Sequence, residues 1–224
     1  MTTTENSSQY HKTRLRYTAK RKVLWTTLWK AYFKRFIKPS FHVMDLGAGY
    51  CDFINAVECQ RRTAIDVWEG VVQHAADGVM ARQCSVTELG FLEDGSVDFA
   101  LASNVFEHLI QEEVIRCLQQ LHTKLKPGGT LVVIQPNFKY AYREYFDDYT
   151  HRTIFTETGL SDLLESCGFD VEECHARFLP FSLNSRLPLI PFLVRCYLWF
   201  PVKPFAKQML IRARTRMTPS SNEK

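Results

Sequence analysis

The chain has 224 residues, 46% of them hydrophobic and 23% charged, with a formal net charge of +4. That length and apolar content suffice for one domain with a substantial core plus appendages, and argue against several domains. The charge is uneven: residues 1–40 carry ten Lys/Arg against one acid, residues 41–175 nine against twenty-two, and residues 176–224 nine against one. Basic ends suit an anionic surface or ligand, and an acidic middle suits a cationic or neutral one. The seven cysteines are scattered without a C-x-x-C pair, which fits a reducing compartment. No histidine stands at ligand spacing from another or from a cysteine, so no metal is expected. No apolar run precedes Val23, and Arg186, Arg195 and Lys203 interrupt the apolar C-terminal stretch. Neither a secretory signal nor a spanning helix is therefore expected, and the expected location is cytoplasmic, with peripheral contact at an anionic membrane as the alternative.

In chain order, residues 1–12 are polar and expected to be disordered. From Lys20 to Ile37, Leu24, Trp25, Leu28, Trp29, Tyr32, Phe33 and Phe36 recur at helical spacing before Pro39. This aromatic helix is expected to pack on the domain, the alternatives being a pocket wall or a membrane surface. Strands are then expected at 41–46, 62–66, 81–86, 97–102 and 130–135, with helices at 51–59, 69–76 and 110–125 between them. Such alternation predicts a doubly wound α/β fold with a mostly parallel sheet. A helix over 156–167, stopped by Gly168, and strands at 169–173 and 208–212 complete the pattern. The segment 179–206 holds five of the nine prolines among Leu, Phe and Trp. The expected organisation is a basic arm and helix over 1–40, a domain over 41–214 with an insertion at 179–206, and a tail at 215–224.

In an open parallel sheet, ligands sit beyond the carboxyl ends of the strands. Strand one delivers Asp45-Leu46 to Gly47-Ala48-Gly49, where missing β-carbons permit unusual backbone angles and close ligand approach. Asp52 stands where a dinucleotide fingerprint has its third glycine, which weakens a pyrophosphate reading. Strand two ends in Asp66-Val67, nineteen residues after Gly47, near the offset at which an acid reaches a ribose diol. Strand three ends at Ser85-Val86, suited to an adenine edge, and strand four in the polar run Ser103-Asn104-Val105-Phe106-Glu107-His108.

Together these motifs, with Leu125-Lys126-Pro127-Gly128-Gly129, resemble the class I S-adenosylmethionine-dependent methyltransferases that act on small molecules. The resemblance implies a Rossmann-like seven-stranded sheet whose last strand inserts antiparallel, and S-adenosyl-L-methionine as cofactor. It implies that Asp45 and the Gly47-Ala48-Gly49 turn lie near the methionyl part, Asp66 and Val67 at the ribose, Ser85 and Val86 at the adenine, and Ser103 and Asn104 beside the methionyl end. The family usually has an acid where this chain has Ser85. His108 and His151 are the candidate general bases if the acceptor is a hydroxyl, since imidazole titrates near neutral pH. Glu107, Asn137, Tyr145 and Tyr149 are the candidate acceptor-binding residues. The expected acceptor is small or lipid-linked, such as a sugar hydroxyl, and the basic aromatic segment 179–206 suits a lipid-linked one or an anionic membrane. An NAD-linked oxidoreductase and a noncatalytic cofactor-binding scaffold are the competing readings. Nucleic acid is a poor fit, because no Asn/Asp-Pro-Pro-Tyr motif follows strand four.

Overall fold

Strands β1 (His42–Leu46), β2 (Arg61–Asp66), β3 (Val79–Gln83) and β4 (Val97–Ser103), with β5 (Leu125–Pro136), β6 (Phe169–Pro180) and β7 (Ala206–Thr215), form one sheet of order β3-β2-β1-β4-β5-β7-β6. This computed structural model describes residues 17–180 and 189–216. Strand β7 runs antiparallel between β5 and β6, and the β1–β2, β1–β4, β2–β3 and β4–β5 pairs are parallel. The expected sheet with one antiparallel last strand is therefore present. The strand order reverses at β1, so the carboxyl ends of β1 and β4 open the crevice where such sheets take ligands.

Alternation along the strands divides the core in two. Met44 and Leu46 of β1, Ala100 and Ala102 of β4, and Leu131 and Val133 of β5 face helices α4 (Gln111–Lys124) and α6 (Glu157–Ser166). Val43, Phe99, Leu101, Val132 and Ile134 face α1 (Ala19–Ala31), α2 (Asp52–Ala56), α3 (Gly70–His74) and α7 (Pro191–Trp199). The four-residue α5 (Phe138–Ala141) follows β5. In α1 and the 3-10 turn Phe33–Arg35, Leu28, Trp29 and Phe33 are fully or almost fully buried. Each large apolar side chain buried in this way contributes about 1.5–3 kcal/mol. The aromatic face of α1 is thus covered by the domain. The helix ends at Ala31, earlier than the expected Ile37, because the 3-10 turn continues the apolar spacing.

Several boundaries move for physical reasons. The helix after the glycine turn spans Asp52–Ala56 instead of 51–59, because Cys51 sits in left-handed conformation at φ 58°. Strand β3 begins at Val79, directly after Gly78 at φ 78°; its half-exposed edge position hides the apolar pattern that placed it at 81–86. Strands β6 and β7 are longer than expected because they pair through charge. Arg212 binds Glu172 and Glu173, Arg214 binds Glu172, and Arg216 binds Asp170. Lys207 reaches Glu144, and Arg21 reaches Asp52 at 2.9 Å. The charges that are segregated along the chain are therefore partly paired in space. The expectations for residues 1–12, for 181–188 of the proline-rich segment and for 217–224 of the tail lie outside the described residues.

His42 at the base of β1 is buried; its Nδ1 meets the Ser96 carbonyl at 3.1 Å and its Nε2 the Thr63 hydroxyl at 2.8 Å. A carbonyl only accepts, so Nδ1 carries the proton and Nε2 accepts from Thr63. Burial pushes the imidazole below its ordinary value, partly opposed by the Ser96 bond. The unfolded chain takes up this proton near pH 6.5 while the folded one resists, so the contribution is full above pH 6.5 and declines as pH falls below it. In urea unfolding, the deficit of His42→Gln relative to wild type is expected to shrink between pH 7.5 and 5.5, by up to about 1.4 kcal/mol per pH unit.

Candidate active site

The turn after β1 is built from residues that tolerate left-handed backbone. Gly47 has φ 64° and Gly49 φ 50°, and a β-carbon on Gly47 would lie 2.5 Å from Val105 Cγ2. Glycine is thus required at 47 by its φ and by the packing of the segment after β4. The Ala48 N–H donates to the Ile65 carbonyl at 3.0 Å. Asp66, 7% exposed, completes the fastening: its Oδ2 accepts from the Gly49 N–H and its Oδ1 from the Trp68 N–H, both at 2.8 Å. A carboxylate oxygen can accept more than one hydrogen bond.

Buried acids surround this turn. Asp45 is held well above the usual carboxylate range by burial and by the nearby Asp66 carboxylate. Burial also raises Asp52, and the Arg21 guanidinium partly offsets it. A desolvated acid cluster suits a cationic ligand, whose charge would return Asp45 to the carboxylate form. Val67 contributes its carbonyl, which accepts from Gln83, and Val86 packs in the α4-side core. The Ser85 hydroxyl shares a 2.8 Å bond with Thr87. Four aromatic rings that the motifs did not single out flank the turn: Trp68 stacks on His74, Tyr50 meets both edge-on, and Tyr17 stacks on His74. Arg21 is the other omission. It comes from α1, and nothing in local spacing joins it to Asp52.

After β4, Asn104 adopts φ 53° and its Nδ2 reaches the Ser103 hydroxyl, while its Oδ1 accepts from Gln208 of β7. The 3-10 turn Phe106–His108 then presents Glu107 and His108. The loop after β5 folds back onto it: Arg152 and Thr153 N–H groups donate to the Glu107 carbonyl, and the Thr153 hydroxyl to the Leu109 carbonyl. This brings the His151 ring to 4.9 Å from that of His108 and 4.5 Å from that of Tyr145. The two expected bases are therefore neighbours.

Their protonation follows from one chain of bonds. Asp148 Oδ1 accepts the Thr150 hydroxyl at 2.6 Å, and the same hydroxyl lies 2.9 Å from His108 Nδ1. A hydroxyl has one proton, and Thr150 donates it to Asp148, so His108 Nδ1–H must be the donor and Nε2 keeps its lone pair. Burial and the adjoining His151 ring keep His108 neutral. Burial alone would raise Asp148, but the Thr150 hydroxyl and N–H outweigh it and hold the carboxyl low. Glu107 is fully buried, and burial pushes its carboxyl up to about 8.

Two of the expected acceptor contacts have other work. Asn137 is fully buried; its Oδ1 caps α5 by accepting the Lys139 N–H, and its Nδ2 donates to Glu157 and to the Ala176 carbonyl. Tyr145 is buried behind His151, with its hydroxyl donating to the Thr153 carbonyl at 2.5 Å. Tyr149, 65% exposed, stays on the surface of the loop.

A family model described as a methyltransferase domain matches residues 44–133, from β1 through β5. Over β1 through β5 the chain is therefore similar to methyltransferase domains. The cradle fits S-adenosylmethionine as methyl donor: close backbone at Gly47, a carboxylate at Asp66 placed as a ribose partner would be, and buried acids for a cationic ligand. No curated protein sequence matches the chain. Among solved structures, a methyltransferase from Haloferax volcanii, in complex with the Trm112 activator, is 17% identical over 86% of this chain and 90% of its own, with a TM-score of 0.67. A SAM-dependent methyltransferase from Archaeoglobus fulgidus is 20% identical over 94% and 99%, with a TM-score of 0.65. The 1,6-didemethyltoxoflavin-N1-methyltransferase of Burkholderia thailandensis, solved with its substrate and S-adenosylhomocysteine, is 20% identical over 95% and 86%, with a TM-score of 0.60. At these identities the likeness is one of fold.

Replacement of Asp66 by Ala leaves two backbone N–H groups without their acceptor and removes the carboxylate expected at the ribose. Calorimetry is expected to show S-adenosylhomocysteine binding weakened at least about tenfold, equivalent to about 1.4 kcal/mol. Gly47→Ala is expected to lose binding and about 1–2 kcal/mol of stability from backbone strain alone.

Proposed function

We propose that the enzyme methylates a hydroxyl oxygen of a small or lipid-linked acceptor seated against Glu107, His108 and His151. The observation that carries this reading is the Asp148–Thr150–His108 chain, which leaves a neutral imidazole with Nε2 able to accept a proton. Bound S-adenosylmethionine supplies a methyl group whose leaving group is a neutral thioether, so positioning and exclusion of water supply much of the acceleration. A hydroxyl must also lose its proton as the C–O bond forms and the C–S bond breaks, and a positioned base there is worth about 10²–10⁴-fold. Gly47, Asp66 and the rings of Tyr50 and Trp68 orient the donor in this reading, and the segment after β4 orients the acceptor.

The lipid-linked alternative within this class draws on the segment around α7. Val194 packs into the core, while Phe192, Trp199, Val202 and Phe205 are 69%, 89%, 66% and 81% exposed. Exposed rings with Arg195 and Lys203 nearby suit the interface of an anionic bilayer. No helix among the described residues is long and apolar enough to cross a membrane, so contact of this kind would be peripheral.

With labelled donor and cell extract, the expected product holds its label through mild base, as an ether does, and a base-labile methyl ester would count against a hydroxyl acceptor. His108→Asn is expected to lower turnover about 10²-fold while S-adenosylhomocysteine still binds. Flotation with anionic vesicles is expected to retain wild type and to lose Trp199→Ser/Phe205→Ser; equal flotation of both would remove the membrane contact.

A further inference from the structure

Proton acceptance needs one imidazole, yet two imidazoles and a carboxylate converge after β4. Glu107, His108 and His151 each present a ligand atom, and the three atoms lie within 4.8 Å of one another. Glu107 is fully buried, and neither of its carboxylate oxygens has a hydrogen-bond partner among the described residues. An ionised carboxylate left so in a protein interior costs several kcal/mol unless a cation or hydrogen bonds compensate it. The charged neighbour acting on it, Asp148, has the same sign. Both histidines are half-buried, so the cluster is within reach of solvent.

The surroundings have the form that metal ligands take. A ligating histidine donates its second ring N–H to a carboxylate, carbonyl or hydroxyl network, which fixes the tautomer. His108 does this through Thr150 to Asp148. His151 is oriented by its ring contacts with Tyr145 and His108.

We propose that Glu107, His108 and His151 bind one divalent transition-metal ion and leave a coordination position open for the acceptor oxygen. The second part rests on the acceptor seat proposed above; the binding of the ion does not. Two nitrogen donors and one oxygen favour zinc, manganese, iron or cobalt over magnesium, which prefers oxygen and water. Three protein ligands, instead of four, are the count of an open site. Bonds of about 2.0–2.2 Å would require side-chain shifts of about 1 Å from the present spacing. Seven histidines without regular spacing concealed the group, because His108 and His151 come from separate loops.

The ion changes how the hydroxyl proton leaves. In the loaded enzyme the imidazole lone pairs bind the ion, and the acceptor oxygen in the open position becomes more acidic, as bound water does. The C–O bond forms from that oxygen, the sulfur takes the electron pair of the broken C–S bond, and the proton passes to solvent water.

The test uses the full chain stripped with EDTA. Titration with Mn(II), followed by the paramagnetic resonance of the free ion, is expected to show one saturable site from which Zn(II) displaces manganese. Electron-spin-echo spectra of the manganese-loaded wild type are expected to carry nitrogen couplings from imidazole, which requires no variant. Glu107→Gln and His151→Asn are each expected to weaken manganese binding at least tenfold while S-adenosylhomocysteine binding by calorimetry stays as in wild type. Absence of saturable binding of either ion, absence of nitrogen coupling, or equal binding by both variants with the fold intact would overturn the proposal. The hydroxyl reading fails separately, on the base lability of the labelled product.

Discussion

The Asp66 carboxylate is the fastening on which the candidate active centre depends. By accepting the Gly49 and Trp68 N–H groups it joins the turn after β1 to the chain leaving β2, and the Ala48 bond to Ile65 secures the other side of the same turn. Charge-assisted bonds of this kind are about twice as strong as neutral ones. The turn also touches a third strand end, because the bare face of Gly47 is filled by Val105. Val105 lies two residues before Glu107. The glycine turn and the segment carrying the candidate acceptor groups are therefore in van der Waals contact through Gly47 and Val105.

Electrostatics set a second constraint. Asp45, Asp52 and Asp66 crowd a buried turn, and desolvation with mutual repulsion raises Asp45 and carries over to the Cys51 thiol, whose pKa is pushed up by burial and these carboxylates. Arg21 answers one of the three acids and anchors α1 over the turn at the same time. The apolar side of α1 adheres through Trp25, Leu28 and Trp29, so the helix is held by burial and aligned by one ion pair. Near the other edge of the sheet the basic C-terminal strand meets the acids of β6, and the charges that look like an invitation to an outside partner serve partly as cross-strand pairs.

The parallel half of the fold was legible in the sequence because its signals are local. Buried strands β1, β4 and β5 are apolar runs, the helix α4 has strict periodicity, and the glycine turn and Asp66 act within twenty residues of each other. The legible part thins at the edges. Strand β3 is half solvated, and β6 and β7 alternate charge with apolar residues, so their lengths depend on partners that sequence spacing does not reveal. Among the candidate site residues, the motif places the acid and the glycines at one turn, where the structure has them in contact. Arg21, Tyr17 and Trp68 were not, since their contacts are tertiary. Asn137 illustrates the reverse error: a polar residue at a strand end looks like a ligand contact, but a buried helix start, a carboxylate and a carbonyl already satisfy its amide.

The meeting of the β4 and β5 loops was not visible in the sequence for a related reason. Its geometry is made by main-chain bonds: Arg152 and Thr153 donate N–H groups to the Glu107 carbonyl, and Tyr145 binds the Thr153 carbonyl. Any non-proline residue can supply such an N–H, so the seam that brings His151 to His108 leaves almost no mark on residue identity. What does leave a mark is the chemistry placed on either side of the seam. A buried acid beside two imidazoles is costly to maintain as mere packing, and apolar residues of similar volume would fill the same space at less cost. The presence of three ionisable groups at a backbone-defined meeting point therefore argues for a ligand that uses them, just as the buried acids at the glycine turn argue for a cationic donor.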